Sequence, residues 1–104
     1  MVGDWDADGD TNIGVLRPSD YTWWLNALNQ NGPPTTLVFQ YGAAGDTPIT
    51  GDWNYDNRDT IGVFRATGLT ADWYLRNTNN AGGQDIPVFT FGVISDKPVS
   101  GDWN

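Results

Sequence analysis

Apolar residues in this chain stand in short adjacent clusters, as in Trp23-Trp24-Leu25 and Leu37-Val38-Phe39. Val, Ile, Thr, Phe, Tyr and Trp dominate these blocks, and Gly, Pro, Asn, Asp and Ser fill the gaps between them. That is the pattern of short β-strands joined by turns. A strand with one wet face alternates apolar and polar positions, so adjacent apolar residues predict sheets largely buried on both faces. Pro18-Ser19-Asp20 and Thr67-Gly68 read as turns, and Asn29-Gln30-Asn31-Gly32 and Asn79-Asn80-Ala81-Gly82-Gly83 as longer loops. No segment shows helical periodicity with caps, so almost no helix is expected.

The pattern occurs twice. Gly3-Asp4-Trp5-Asp6 returns as Gly51-Asp52-Trp53-Asn54 and again as Gly101-Asp102-Trp103-Asn104. Between these tetrapeptides, Ile13-Gly14-Val15-Leu16-Arg17 matches Ile61-Gly62-Val63-Phe64-Arg65, and Trp23-Trp24-Leu25 matches Trp73-Tyr74-Leu75. Val38-Phe39-Gln40-Tyr41-Gly42 matches Val88-Phe89-Thr90-Phe91-Gly92, and Asp46-Thr47-Pro48-Ile49-Thr50 matches Asp96-Lys97-Pro98-Val99-Ser100. Ala43-Ala44-Gly45 and Val93-Ile94-Ser95 link the last strand of one unit to the next. A repeat of about 48 residues holding four strands falls in the range of propeller blades, which stack face to face.

Composition narrows the function. With 104 residues the chain suffices for one small domain. Hydrophobic residues at 38% and six Trp provide surface to bury, which argues against disorder. A net charge of -8 argues against nucleic acid and against an anionic membrane surface, and suits cation binding or plain solubility. The absence of Cys and His removes disulfides, thiolate or imidazole metal sites and the commonest general base. No apolar run approaches the length of a membrane helix, and Met1 is followed at once by repeat sequence rather than by a signal peptide. The ends fall inside the repeat motif, so the chain reads as a piece of a longer protein.

The run Gly-Asp-Trp-Asp-x-Asp-Gly, then Ile-Gly-Val-x-Arg, then Phe-x-Tyr/Phe-Gly, resembles the bacterial FG-GAP/VCBS-type propeller repeat, related in pattern to the integrin α-subunit propeller. The resemblance implies an all-β fold of two four-stranded antiparallel blades, closing into a β-propeller by oligomerisation, and a secreted or cell-surface parent protein. It implies Pro48–Trp53 as innermost strand A, Thr60–Arg65 as B, Asp72–Asn77 as C and Pro87–Gly92 as D, with the acidic loop joining A to B. On this division residues 1–50 hold strands B, C and D of the first unit plus strand A of the next blade. Residues 51–104 hold the second unit with a spare C-terminal strand A.

The acidic loops are the candidate metal sites. Asp4, Asp6 and Asp8 stand at every second position, followed by Gly9, Asp10 and Asn12. This matches the first nine positions of a calcium loop, with ligands at 1, 3 and 5, a Gly at 6, a backbone carbonyl at 7 and a further oxygen at 9. The second unit offers Asp52, Asn54, Asp56, Asn57 in the Gly place, the Arg58 carbonyl and Thr60. The resembling family has an acid at the ninth position, where Asn12 and Thr60 stand here. The competing reading is an Asx-rich turn whose carboxylates cap backbone N–H groups and need no metal.

Trp5, Trp53 and Trp103 are equivalent, as are Trp23 and Trp73. Repetition at one structural position favours packing between blades over a sugar-stacking platform. The recurrence of Arg17 and Arg65 suggests a structural hydrogen bond or ion pair inside each blade. Carboxylates concentrate in the metal-like loops, and no triad or phosphate-cradling loop is present, so a non-catalytic module is expected. Two blades leave faces and edges open, and closed symmetry solves this with a dimer of four blades, a trimer of six or a tetramer of eight, the trimer being favoured. The first unit has only Met1–Trp5 ahead of its loop, whereas Lys97–Trp103 is a spare strand A that a neighbour's first blade could accept. The partner expected is therefore the chain itself. A glycan bound between blades is the alternative.

Overall fold

The structure is a computed structural model, describing residues 1–29 and 37–101. Eight strands follow in order: β1 (Val2–Gly3), β2 (Asn12–Arg17), β3 (Thr22–Leu25), β4 (Leu37–Gln40), β5 (Thr47–Gly51), β6 (Thr60–Thr67), β7 (Thr70–Leu75) and β8 (Phe89–Val93). They form two four-stranded antiparallel sheets, ordered β1-β2-β3-β4 and β5-β6-β7-β8, and no helix occurs among the described residues. The chain is thus all-β, and each repeat makes one blade-like sheet. The two sheets do not close into a ring.

Local chemistry sets the strand ends. Gly68 has φ +64° at the first of the two residues joining β6 to β7, the place that takes a glycine in a tight hairpin. In Gly-Asp-Trp the indole folds back over the glycine two residues earlier. A Cβ on Gly3 would lie 2.5 Å from the Trp5 ring, and one on Gly51 2.7 Å from Trp53. The motif is therefore a packing unit, because any side chain at its first position would collide with the ring at its third.

The core lies between the sheets. Trp5, Trp23, Leu25 and Tyr41 of the first repeat pack with Ile61 and Val63 of β6. Trp23 also stacks on Phe39 with ring centroids 6.3 Å apart. The indole N–H of Trp23 donates to the Tyr41 carbonyl at 2.8 Å, and that of Trp5 to the Ile13 carbonyl at 3.1 Å, so neither buried donor is left unpaired. A second cluster joins Ile49, Phe64, Ala71 and Leu75 on the far side of the second sheet, with Trp53, Trp73 and Ile86 only partly buried against it.

The expectation that both faces of each sheet are buried holds for β6 and fails for β2. Ile61 and Val63 are 0% and 1% exposed, whereas the matching Ile13 and Val15 are 46% and 57% exposed. On the other side, Tyr41 is 8% exposed and the matching Phe91 71%. The cause is position. Only one face of each sheet has the other sheet to pack against.

The strand A segments differ as well. β5 pairs with β6 over five residues, from Thr47↔Phe64 to Gly51↔Thr60. β1 pairs with β2 only at Val2↔Ile13 and Gly3↔Asn12. Val2–Gly3 thus occupies the strand A place of the first sheet, but covers a shorter part of its neighbour. The expected spare strand Lys97–Trp103 is not in a sheet over its described part, residues 97–101, and Asp102, Trp103 and Asn104 lie outside the described residues, as do Gln30, Asn31 and Gly32 of the first long loop.

Candidate functional site

The acidic loop between β1 and β2 is a tight curl. Ala7 and Gly9 both take positive φ, +61° and +90°. The curl turns three backbone N–H groups inward onto carboxylates. The Asp8 amide donates to Asp4 Oδ1 at 3.1 Å, the Gly9 amide to Asp4 Oδ2 at 2.9 Å, and the Asp10 amide to Asp8 Oδ1 at 2.8 Å. The loop between β5 and β6 repeats this design. Tyr55 and Asn57 have φ +67° and +68°, Asp52 accepts from the Asp56 and Asn57 amides at 3.0 and 2.8 Å, and Asp56 accepts from Arg58 at 3.0 Å. Asn57 tolerates the left-handed conformation that Gly9 supplies in the first loop.

Carboxylate oxygens of Asp4, Asp6 and Asp8 lie within 4.8 Å of one another, so this cluster could hold a metal ion. Oxygens bound to one calcium at about 2.3–2.6 Å are separated by no more than about 5 Å, so the spacing fits a hard divalent cation. The Asp6 carboxyl is pushed above the ordinary carboxylate range by partial loss of water and by the neighbouring Asp8 charge. Asp52 is held below that range. Desolvation pushes it upward, but the amides of Asp56, Asn57 and Tyr55 together outweigh it.

Two of the other expected ligands, Asn12 and Thr60, are buried where the loops enter β2 and β6. Asn12 is buried at the start of β2, and its amide donates to the Ala27 carbonyl at 3.0 Å. Thr60 is buried at the start of β6, and its hydroxyl donates to the Arg76 carbonyl at 2.7 Å. Both side chains tie the end of the loop to the residues just past the third strand of their sheet, and the Asn12 Oδ1 has no hydrogen-bond partner. Asp10 and Arg58 are exposed, and the second loop, with Asn54 between Asp52 and Asp56, has one carboxylate fewer at its three alternating positions. Capping leaves the first loop able to hold a cation, because the capped Asp4 carboxylate still belongs to the cluster.

One feature escaped sequence reasoning, and one expected feature is made in a single repeat. Arg76, 8% exposed, donates to Asp85, Thr78, Asn80 and the Gly83 carbonyl, and so organises the loop between β7 and β8. Its counterpart in the first repeat is Asn26, so no recurrence marks it. Asp46 receives Arg65 in a two-pronged ion pair, both N···O distances being 2.8 Å, and Arg65 stacks over Tyr74 at 4.3 Å. The Asp46 carboxylate raises the Arg65 guanidinium pKa further. Arg17 stacks on Trp24 at 4.9 Å, but no carboxylate is paired with it among the described residues. The expected ion pair is therefore made in the second repeat only.

A cavity of about 450 Å³ opens on the uncovered side of the second sheet, between Trp53, Trp73, Phe89 and Phe91 and the segment 96–101. The Trp53 and Trp73 indole N–H groups are already spent on the Ile61 and Phe91 carbonyls, at 3.1 and 2.9 Å. Comparison with protein-family models, with curated proteins and with solved structures returned no match.

Proposed function

We propose that this chain is a non-catalytic β-propeller repeat module of the FG-GAP/VCBS type that assembles with copies of itself into a ring and serves as a scaffold or interaction surface. One observation carries the reading. The outer face of the second sheet repeats, residue for residue, the face that the first sheet buries: Trp53, Trp73, Leu75 and Phe91 stand where Trp5, Trp23, Leu25 and Tyr41 stand. Contiguous apolar surface of this kind marks an association site. Three copies make a six-bladed ring, the favoured closure, and two or four copies make the four- and eight-bladed alternatives.

Calcium at Asp4, Asp6 and Asp8 pins the loop between strands A and B. It neutralises three crowded carboxylates that repel one another without it. Size-exclusion chromatography with light scattering tests the assembly. A discrete multiple of the 11.4 kDa chain is expected, and a monomer at every accessible concentration contradicts the reading. The metal is tested separately by calorimetric titration with calcium, where Asp6→Asn lowers the affinity about tenfold or more. No heat above dilution removes calcium from the account.

The aromatic cavity favours a second reading, a lectin. Trp53 and Trp73 offer ring faces beside Asp96 and Lys97, an arrangement suited to a sugar's apolar face and hydroxyls. Their spent indole donors and the absence of the same opening at Trp5 and Trp23 weigh against it. A glycan array probed with calcium present discriminates the two, and a specific, saturable hit would establish the lectin.

A further inference from the structure

We infer that two copies of this chain join by strand exchange: Asp96–Gly101 of one copy pairs with β2 of a second copy, in the register that Asp46–Gly51 keeps with β6. The inference rests on the self-assembly proposed above and names the contact that makes it.

The edge of β2 is open where the edge of β6 is covered. β1 reaches only Asn12 and Ile13, whereas β5 accompanies β6 as far as Phe64. The Gly14 amide donates to the Met1 carbonyl at 2.9 Å. Alternation along the strand points the Leu16 amide at the same edge, past the end of β1. An unpaired strand edge is a template for another chain.

The segment that fits this edge is already shaped and placed for it. Residues 96–101 repeat 46–51 in sequence and in entry geometry. Gly42 and Gly92 take φ +107° and +98°, the Ala43 amide donates to Asp46 Oδ2 at 2.8 Å, and the Val93 amide donates to Asp96 Oδ2 at 2.9 Å. The Thr50 hydroxyl donates to the Val2 carbonyl at 2.9 Å, and the Ser100 hydroxyl donates to the Thr50 carbonyl at 2.6 Å. Val2, Thr50 and Ser100 are thus successive members of one series, and the third already sits one strand beyond the second. It belongs to no sheet in its own chain.

Charge and apolar surface agree with the pairing. The register that sets Asp46 beside Arg65 sets Asp96 beside Arg17. Among the described residues, neither Asp96 nor Arg17 is in an ion pair. The same docking lays Ile13 and Val15 of the second copy over Trp53, Trp73, Leu75 and Phe91 of the first, as Ile61 and Val63 lie against Trp5, Trp23, Leu25 and Tyr41. Met1, Val2 and Gly3 of the second copy give way. Val99, Ser100 and Gly101 replace their pairings, and Asp96–Pro98 adds pairing along Val15–Arg17.

The test uses charge reversal and cross-linking in the whole chain, which has no native Cys. Arg17→Asp or Asp96→Arg alone weakens assembly about tenfold or more, and the double variant returns to within about threefold of wild type. Val15→Cys with Pro98→Cys, opposite each other as Val63 and Pro48 are, yields disulfide-linked multimers on mild oxidation. The pair Leu16→Cys with Pro98→Cys, one residue out of register, does not. If wild type assembles yet the charge-reversed double variant is not rescued, or both Cys pairs cross-link equally, the strand exchange is wrong and self-assembly stands. If wild type is monomeric, both are wrong.

Discussion

Strands β2 and β6 carry nearly the same residues, Ile-Gly-Val-Leu-Arg and Ile-Gly-Val-Phe-Arg, in different surroundings. β6 has a sheet in front of it, a five-residue strand at its edge and a carboxylate on its Arg. β2 has an open front, a two-residue strand at its edge and an Arg resting on an indole alone. The outer and inner aromatic faces repeat the contrast, with Trp5 and Trp23 enclosed and Trp53 and Trp73 half covered. Nothing in the local residues separates the two settings. What separates them is whether a neighbouring sheet is present. One contact, made once inside the chain, leaves each of its two halves unused at the opposite ends of the molecule.

The largest effect expected is at the enclosed Trp. Trp23→Ala removes a fully buried ring and its hydrogen bond and costs about 3–5 kcal/mol by urea unfolding. Trp73→Ala in the dilute chain costs about half that. Equal costs would mean that the second face is covered in the unassembled molecule. Next come the strand residues. Ile61→Ala costs about 2–4 kcal/mol, and Ile13→Ala less than about 1 kcal/mol until the chain assembles. A loss at Ile13 as large as at Ile61, in a demonstrated monomer, would break the comparison.

Much of this organisation is legible in the residues. The repeat marks the two units, the clusters mark the strands, and the observed β5, β6, β7 and β8 fall within about two residues of the expected A, B, C and D. The loops are legible as curls because Asp alternates ahead of Gly9. What escapes is context. A repeated motif predicts a repeated environment, so Ile13 and Ile61 look alike. Asn12 and Thr60 look like ligands because they stand at a ligand spacing. The structure also has them donate to carbonyls just past the third strand, bonds that span many residues of sequence and that no local spacing announces. Arg76 has no counterpart to announce it. Positive φ at Ala7 and Tyr55 has no residue signal either, since both types disfavour it.

The ion pair sharpens the contrast at a smaller scale. Asp46→Ala strips Arg65 of its partner and uncaps the turn at Ala43, costing about 2 kcal/mol once the part exposure of Arg65 is discounted. Asp96→Ala loses only the turn cap and costs about 0.5–1 kcal/mol in the monomer. The smallest effect is in the loops. Asp52→Ala removes two capped amides and costs about 1 kcal/mol near neutral pH. Because the folded Asp52 carboxyl titrates below its unfolded value, its contribution is full above the ordinary carboxylate pKa and fades as pH falls through the depressed one. Acid unfolding curves of wild type and variant therefore converge at low pH. Asp6, shifted upward, has the opposite sign. Asp6→Asn relieves a penalty present above its raised pKa, so without calcium the variant melts no lower than wild type.

The central claim is that the open edge and face of β2 are the unused half of the contact already made by β6. Amide hydrogen exchange at Leu16 and Phe64, followed over a concentration series, tests it most directly. Phe64 is expected to be protected throughout, while Leu16 exchanges freely in the dilute chain and reaches comparable protection as the chain assembles. A Leu16 amide that stays fast in a demonstrated oligomer, or is already slow in a demonstrated monomer, would contradict the account.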